Sequence, residues 1–277
     1  MLKFTKMQGL GNDFVLLDCR NNSFNLTVAE LQFLADRKFG VGCDQILVIE
    51  TSINPTADFI YRIFNADGSE AGHCGNGARC VIEYLWDKIN KSKITLQIQK
   101  QLIHGHKNPD GSISINMGTP DFAPAALPFL QQQNPDNIYV LHIQGKAISY
   151  GICSVGNPHV MVKLSETPDL DNTQHLTFLA QLIQNSSLFP EGVNVNFYVI
   201  KNSKTIALRT YERGCGFTFA CGTGATATAC YAIAQHTVLH NVDVEMPGGK
   251  LNIAWDMINE IIMTGPAVSI FTGQLCN

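Results

Sequence analysis

The sequence predicts an α/β (α+β) chain made of two pseudo-symmetric domains. Strand-sized apolar runs occur in both halves: Phe14 to Leu17, Ile46 to Ile49 and Ile94 to Ile98, then Val160 to Val162 and Phe197 to Ile200. Each half also carries two helical patterns, over 29–38 and 77–86 in the first and over 177–184 and 224–234 in the second. Finally, three anchors recur in the same order, which is the mark of a duplicated unit.

The anchors are short but ordered. Gly11-Asn12-Asp13-Phe14-Val15 matches Gly156-Asn157-Pro158-His159-Val160, 145 residues on. Gly42-Cys43-Asp44-Gln45 before a strand matches Gly192-Val193-Asn194-Val195 before another, 150 residues on. Arg62-Ile63-Phe64-Asn65, followed by Cys74-Gly75-Asn76-Gly77-Ala78, matches Arg209-Thr210-Tyr211-Glu212, followed by Cys221-Gly222-Thr223-Gly224-Ala225, 147 residues on. Between the halves, residues 120–135 are rich in Pro, Ala and Gln and read as a connection between domains.

The bulk composition narrows the function classes. The 277 residues suffice for two cores, and 45% hydrophobic against 15% charged residues is a globular balance. A net charge of −4 lacks the basic footprint of a nucleic-acid binder. The N-terminal Met1-Leu2-Lys3-Phe4-Thr5-Lys6 has no signal-peptide core, and no apolar run approaches the ~20 residues that span a bilayer, so cytoplasmic residence without a membrane partner is expected. Nine cysteines, Cys19, Cys43, Cys74, Cys80, Cys153, Cys215, Cys221, Cys230 and Cys276, form neither an even disulfide framework nor a CxxC zinc pair. Most are expected to be small core hydrophobes.

Two of them stand apart. Cys74 and Cys221 each precede Gly-x-Gly and a helix. Glycine allows a tight turn and close approach of a ligand, and the N–H groups of a helix start hold a carboxylate. The same positive helix end favours a thiolate, so either sulfur is expected below the usual thiol pKa of ~8.5. Duplicated domains bind ligands in the cleft between them. One sulfur on each face of a substrate carbon then fits removal of a proton by one thiolate and its return by the opposite thiol, with the helix N-termini stabilising the carbanion. Taken singly, each feature has a structural reading: a Cys before a glycine turn, a packed His159, turn asparagines at Asn12, Asn65, Asn157 and Asn194, and a surface pair at Glu212 and Arg213. Their placement at repeated anchors is what favours function.

These residues resemble the diaminopimelate epimerase family. The resemblance rests on Met7-Gln8-Gly9-Leu10-Gly11-Asn12-Asp13-Phe14, Phe64-Asn65-Ala66-Asp67-Gly68-Ser69-Glu70, Cys74-Gly75-Asn76-Gly77-Ala78-Arg79-Cys80, Gly156-Asn157-Pro158-His159, Gly192-Val193-Asn194, Tyr211-Glu212-Arg213-Gly214 and Ala220-Cys221-Gly222-Thr223-Gly224. It runs as far as Gly265-Pro266. Proline racemases share paired cysteines but not the Asn-Ala-Asp-Gly-Ser-Glu run. The resemblance implies a sheet wrapped around a central helix in each domain, with an N-terminal domain over 1–119 to which 267–277 return, and a C-terminal domain over 120–266. It also implies a homodimer and interconversion of LL- and meso-diaminopimelate, for lysine and peptidoglycan precursors, without pyridoxal phosphate or metal. By the same resemblance Cys74 and Cys221 are the two bases, and His159 and Glu212 give catalytic support. Asn12, Gln45, Asn65, Asn157, Asn194, Glu212 and Arg213, with the backbone amides of Gly75, Asn76, Gly222 and Thr223, contact substrate.

One departure stands out. Where the family has Glu before the second cysteine, this chain has Phe217, so a ring replaces a carboxylate. Other readings of the chain are an epimerase of the same fold acting on another amino acid, a thiol redox protein cycling Cys74 and Cys221, and a Cys–His hydrolase using Cys221 and His159. A redox role leaves the Asn and Arg set unexplained, and a hydrolase leaves Cys74 without a role.

Overall fold

A computed structural model of the chain describes residues 2–72, 74–99, 101–143 and 145–275. The chain divides into two compact units, Met1–Asn116 with Thr264–Asn277, and Met117–Met263.

Unit 1 contains β1 (Leu2–Gly9), β2 (Asn12–Asp18), α1 (Val28–Ala35), β3 (Gln45–Thr51), β4 (Phe59–Asn65), β5 (Glu70–Ala71), α2 (Gly75–Trp86), β6 (Ile94–Ile98), β7 (Gln101–Lys107) and β8 (Ile113–Asn116). Unit 2 contains β9 (Tyr139–Ile143), β10 (Lys146–Ser154), β11 (Pro158–Lys163), α3 (Thr173–Gln184), β12 (Asn194–Asn202), β13 (Thr205–Glu212), β14 (Gly216–Phe217), α4 (Gly222–Ala234), β15 (Asn241–Met246) and β16 (Gly249–Ala254). The strand β17 (Ile262–Gly265) spans the second change of unit, and β18 (Val268–Leu275) completes unit 1.

The two sheets repeat one another strand by strand. In unit 1, β18, β1, β2, β3, β4, β6 and β7 lie side by side, with β2–β3 and β4–β6 parallel and the other pairs antiparallel. In unit 2, β9, β10, β11, β12, β13, β15 and β16 follow the same pattern, with β11–β12 and β13–β15 parallel. The C-terminal β18 therefore gives unit 1 what β9 gives unit 2. The register also corrects one repeat anchor. Phe14 pairs with Gln45 and His159 pairs with Asn194, so Gln45 matches Asn194, an offset of 149 rather than 150.

Each sheet surrounds one helix, as the resemblance implies. α2 packs against β1, β2, β3, β4, β6, β7, β8 and β18, and α4 against β10, β11, β12, β13, β15 and β16. A helix enclosed this way must be apolar or small all round. From Gly222 to Ile233 every residue of α4 is buried, most of them Gly, Ala or Thr, which lets the strands approach closely.

Several sequence expectations shift in detail. α1 ends at Ala35, not Lys38, because Asp36 turns to extended backbone and its carboxylate accepts the Lys38 and Phe39 amides. α3 starts at Thr173, four residues early, because Asn172 caps it by accepting the His175 amide. α2 and α4 begin at Gly75 and Gly222, directly after the two cysteines. The 120–135 stretch is not a connection between domains. Leu127 and Phe129 lie in the unit 2 core, and Asp121 bridges to Ser154. Cys43, Cys80, Cys153 and Cys230 are buried as expected, whereas Cys215 is exposed and Cys276 lies outside the described residues.

Candidate active site

Both helices start on a cysteine for the same local reason. Cys74 and Cys221 have extended backbone, with φ −147° and −119°, and stand in the capping position where Ser, Thr, Asp or Asn is usual. Each sulfur accepts the amide three residues on, Gly77 N–H at 3.4 Å and Gly224 N–H at 3.4 Å. The N–H groups of Gly75 and Asn76, and of Gly222 and Thr223, occupy the first two positions of each helix, where intrahelical acceptors are lacking. The third residue must be glycine. A Cβ on Gly77 would lie 2.3 Å from the Tyr61 hydroxyl, and one on Gly224 2.6 Å from Asn196 Oδ1 and 2.7 Å from Thr210 Oγ1. The glycines thus seat each helix, and with it each sulfur, against the strands.

In unit 1 the sulfur faces Asn12. Cys74 Sγ lies 3.7 Å from Asn12 Oδ1, which also receives Asn76 Nδ2 at 3.5 Å. Asn12 is held from behind by Asp44, whose carboxylate accepts Asn12 Nδ2 at 2.9 Å and pairs with Arg37. Lys6 and Arg37 both grip the adjacent Asp13 and hold its carboxyl down at about 2, overcoming the upward push of burial. The fully buried Arg79 reaches Asn76 Oδ1 at 2.8 Å and the Pro266 carbonyl at 3.3 Å, and burial lowers its pKa to about 10. Gln45 and Asn65 meet each other on neighbouring strands, Nε2 to Oδ1 at 3.0 Å.

In unit 2 the sulfur faces a carboxylate. Cys221 Sγ donates to Glu212 Oε2 at 3.3 Å, and the other Glu212 oxygen accepts the Thr218 hydroxyl at 2.6 Å. Thr223 Oγ1 stands 3.5 Å from the same sulfur and accepts Asn157 Nδ2 at 3.2 Å. Asn157 Oδ1 in turn meets His159 Nε2 at 2.9 Å. Asn194 Oδ1 accepts the Arg213 amide at 2.9 Å. The exposed Arg213 guanidinium donates to the Glu191 carbonyl.

The electrostatics of Cys221 overturn the expectation of a depressed thiol. Burial pushes its pKa well above the ordinary value and the Glu212 charge adds to this, while the bonds from Thr223 and Gly224 oppose it. Desolvation of the thiolate outweighs the helix end here. His159 is also fully buried, which drives its pKa down to about 3 and keeps the ring neutral.

The structure thus brings together Asn12, Cys74 and Asn76 in unit 1, and Asn157, His159, Glu212, Cys221 and Thr223 in unit 2. It pairs Gln45 with Asn65, and Asn194 with Arg213. Asp44, Arg79, Asn196, Thr210 and Thr218 were not singled out from the sequence as site residues. The available signal for Asn196 and Thr210 was a polar residue inside an apolar strand. The others show only in three dimensions. Among the described residues, no cluster of His, Cys, Asp and Glu has the arrangement to hold a metal ion, and no helix is long and apolar enough to cross a membrane.

Comparison with known proteins gives the family. The model of the family described as Diaminopimelate epimerase matches residues 4–123 and again 151–270. A diaminopimelate epimerase of Legionella pneumophila (strain Corby) is 45% identical, with 99% of each chain covered. That of Nitrosospira multiformis is 42% identical over 99% of this chain and 98% of the relative. Among solved structures, a hydroxyproline epimerase from Agrobacterium vitis with bound trans-4-hydroxy-L-proline aligns with TM-score 0.70 at 13% identity, covering 98% of this chain and 91% of that one. A PhzF-family phenazine biosynthesis protein from Bacillus anthracis aligns with TM-score 0.69 at 17% identity, covering 100% and 99%. At those identities the structural likeness shows the fold alone. With a family model matched twice and near-complete coverage of its curated relatives, the chain belongs to the diaminopimelate epimerase family.

Proposed function

We propose that the protein interconverts LL- and meso-diaminopimelate, in lysine and peptidoglycan-precursor synthesis, by proton transfer at one α-carbon between two thiols. The observation that carries this reading is the pair of equivalent cysteine-capped helices, Cys74 on α2 and Cys221 on α4. One sulfur, as thiolate, takes the α-proton. The electron pair passes into the α-carboxylate as the carbanion forms, and the other sulfur, as thiol, returns a proton to the opposite face. The reaction requires the two sulfurs to reach opposite faces of one carbon. Cys221, kept protonated by burial and by Glu212, is suited to the acid role in one direction. The helix-start N–H groups of Gly75, Asn76, Gly222 and Thr223 suit the α-carboxylate, where they stabilise developing charge. Asn12, Gln45, Asn65, Asn157, Asn194 and Arg213 supply donors and acceptors for the rest of the substrate. Both ring nitrogens of His159 engage asparagines, Asn157 and Asn196, which disfavours a Cys–His hydrolase.

The test is purified protein with LL-diaminopimelate in deuterated water and no added cofactor. Deuterium at the α-carbon together with the meso product is expected. Exchange with another amino acid but none with diaminopimelate would assign the site to a different substrate. Arg213→Lys is a second check: it is expected to weaken diaminopimelate more than a substrate lacking the distal carboxylate, because Lys cannot form the paired hydrogen bonds of a guanidinium.

We also propose a homodimer. β18 lies beyond β1 and exposes Val268, Ile270 and Phe271, an apolar row suited to pairing with a second copy. Sedimentation of a dimer by wild type and of a monomer by Phe271→Glu is expected.

A further inference from the structure

Behind Cys221 lies a buried polar cluster that proton transfer by the thiols does not by itself explain. His159 and Asn196 are fully buried and Thr210 is 3% exposed. At the matching register positions of unit 1 stand Phe14, Leu47 and Ile63, all fully buried. Burying three polar side chains where the twin unit buries hydrocarbon is costly unless every group is bonded. Here every group is. Thr210 Oγ1 lies 2.9 Å from Asn196 Oδ1, Asn196 Nδ2 lies 3.1 Å from both the Val160 carbonyl and His159 Nδ1, and His159 Nε2 lies 2.9 Å from Asn157 Oδ1.

One contact sets the direction of the whole chain. The Val160 carbonyl can only accept, so the Asn196 nitrogen must face it, and the Asn196 oxygen takes the Thr210 hydroxyl proton. The second Asn196 N–H then points at His159 Nδ1, which must accept. The ring proton therefore sits on Nε2 and is donated to Asn157 Oδ1. The Asn157 nitrogen donates to Thr223 Oγ1, and the Thr223 hydroxyl proton is left for the sulfur of Cys221, whose own proton goes to Glu212. Hydrogen bonds aligned head to tail polarise one another in a low-dielectric interior.

We infer that Asn196, held by Thr210 and the Val160 carbonyl, is a positioning residue that fixes the His159 tautomer and thereby directs the Thr223 hydroxyl proton onto the Cys221 sulfur. The inference rests on the reading of Cys221 as an acid–base thiol. Its role is to receive the negative charge left when Cys221 gives up its proton, against the cost of burial. At the matching unit 1 sulfur the contacts include Asn12 Oδ1 and the Gly77 amide, and the strand positions behind it carry Phe14, Leu47 and Ile63.

The test needs no substrate, so its failure is distinct from failure of the proposed activity. The first measurement is the nitrogen resonances of His159 in protein with labelled histidine, assigned by difference against His159→Gln. A proton on Nε2 and none on Nδ1 from pH 5 to 8 is expected in wild type, and a mixture of tautomers in Asn196→Leu. The second is the pH midpoint of iodoacetamide alkylation at Cys221, read by peptide mass. It is expected to rise by about one pH unit in Asn196→Leu and in Thr210→Val, as a hydrogen bond to the thiolate is weakened. Thr210→Val is nearly isosteric and carries the test if Asn196→Leu fails to fold. A wild-type proton on Nδ1, or an alkylation midpoint that neither substitution moves, overturns the inference.

Discussion

Cys74 and Cys221 hold the same place in two copies of one fold, yet their surroundings are chemically different. The strand positions behind Cys74 carry Phe14, Leu47 and Ile63, and those behind Cys221 carry His159, Asn196 and Thr210. At the ends of β4 and β13, unit 1 has Asn65, bonded to Gln45 and Ser69, where unit 2 has Glu212, bonded to the sulfur itself. Duplication preserved what positions the sulfur: the cysteine cap, the first and third glycines and the parallel strand pair. Divergence changed what sets its charge. The proposed two-base reaction needs one thiol and one thiolate at rest, and burial together with Glu212 favours the thiol form at Cys221.

The largest effect concerns whether both copies are needed. Cys74→Ala and Cys221→Ala are each expected to abolish epimerisation, since a positioned acid or base supplies ~10²–10⁴-fold on each face. Activity of either variant within about tenfold of wild type would reduce the pair to one working thiol and break the comparison.

A second effect separates the buried faces. His159 is neutral in the folded protein down to about pH 3, whereas an unfolded chain protonates its histidine near 6.5. Between those values the unfolded state binds the extra proton, so folding stability falls as pH falls, by up to ~1.4 kcal/mol per pH unit. Phe14 gives unit 1 no such term. Thermal midpoints from pH 7 to 4.5 are expected to drop in wild type and to drop less in His159→Phe, even though that variant starts lower because Asn157 and Asn196 lose a partner. Parallel slopes would mean that the His159 ring already carries a proton in the fold.

A third, more modest effect isolates the carboxylate. Burial is the larger cause of the raised Cys221 pKa and Glu212 the second. Glu212→Gln removes the charge but not the burial. The alkylation midpoint of Cys221 is expected to fall on the order of one pH unit while staying above that of an exposed thiol. A rise would show that hydrogen bonding by Glu212, and not its charge, governs the sulfur.

Much of this was legible in the sequence because duplication writes the same turn chemistry twice. The Cys-Gly-x-Gly motifs mark where α2 and α4 start, two residues before the helical patterns that begin at Gly77 and Gly224, and the apolar runs over 94–98 and 197–200 fall within strands. Alignment of Gly42 with Gly192 was one residue off because both are turn glycines at positive φ, +80° and +71°, and a turn residue alone does not report strand register. The protonation of Cys221 departs from the sequence expectation for a different reason. A helix start is visible in sequence, but full burial and the reach of Glu212 from β13 arise only when the sheet closes on α4. Asn196 and Thr210 are hidden because one polar residue within Val195 to Tyr198, or Arg209 and Thr210 within Ala207 to Tyr211, leave the strand reading intact.

The smallest expected effect lies at Phe217, where this chain leaves the family pattern. The ring sits on β14 opposite Tyr211, edge-on to it at 5.1 Å between centroids, and 6.4 Å from Phe197. It packs, half-buried, against the unit 2 core. It therefore holds the loop before Cys221 by apolar contact, and burying such a ring fully contributes roughly 1.5–3 kcal/mol. A glutamate at this position forfeits that contact and brings a second carboxylate into the loop that delivers the Glu212–Cys221 pair. Phe217→Glu is expected to lose on the order of 1–2 kcal/mol, which for a unit of this size lowers the thermal midpoint by a few degrees. Any residual charge effect should move the alkylation midpoint of Cys221 upward, opposite to Glu212→Gln, because a second negative charge further disfavours the thiolate. Unchanged stability together with severalfold higher activity would overturn the packing role and make the ring a functional defect. In that case the acid–base setting of unit 2 would need a carboxylate that this chain lacks, in addition to Glu212.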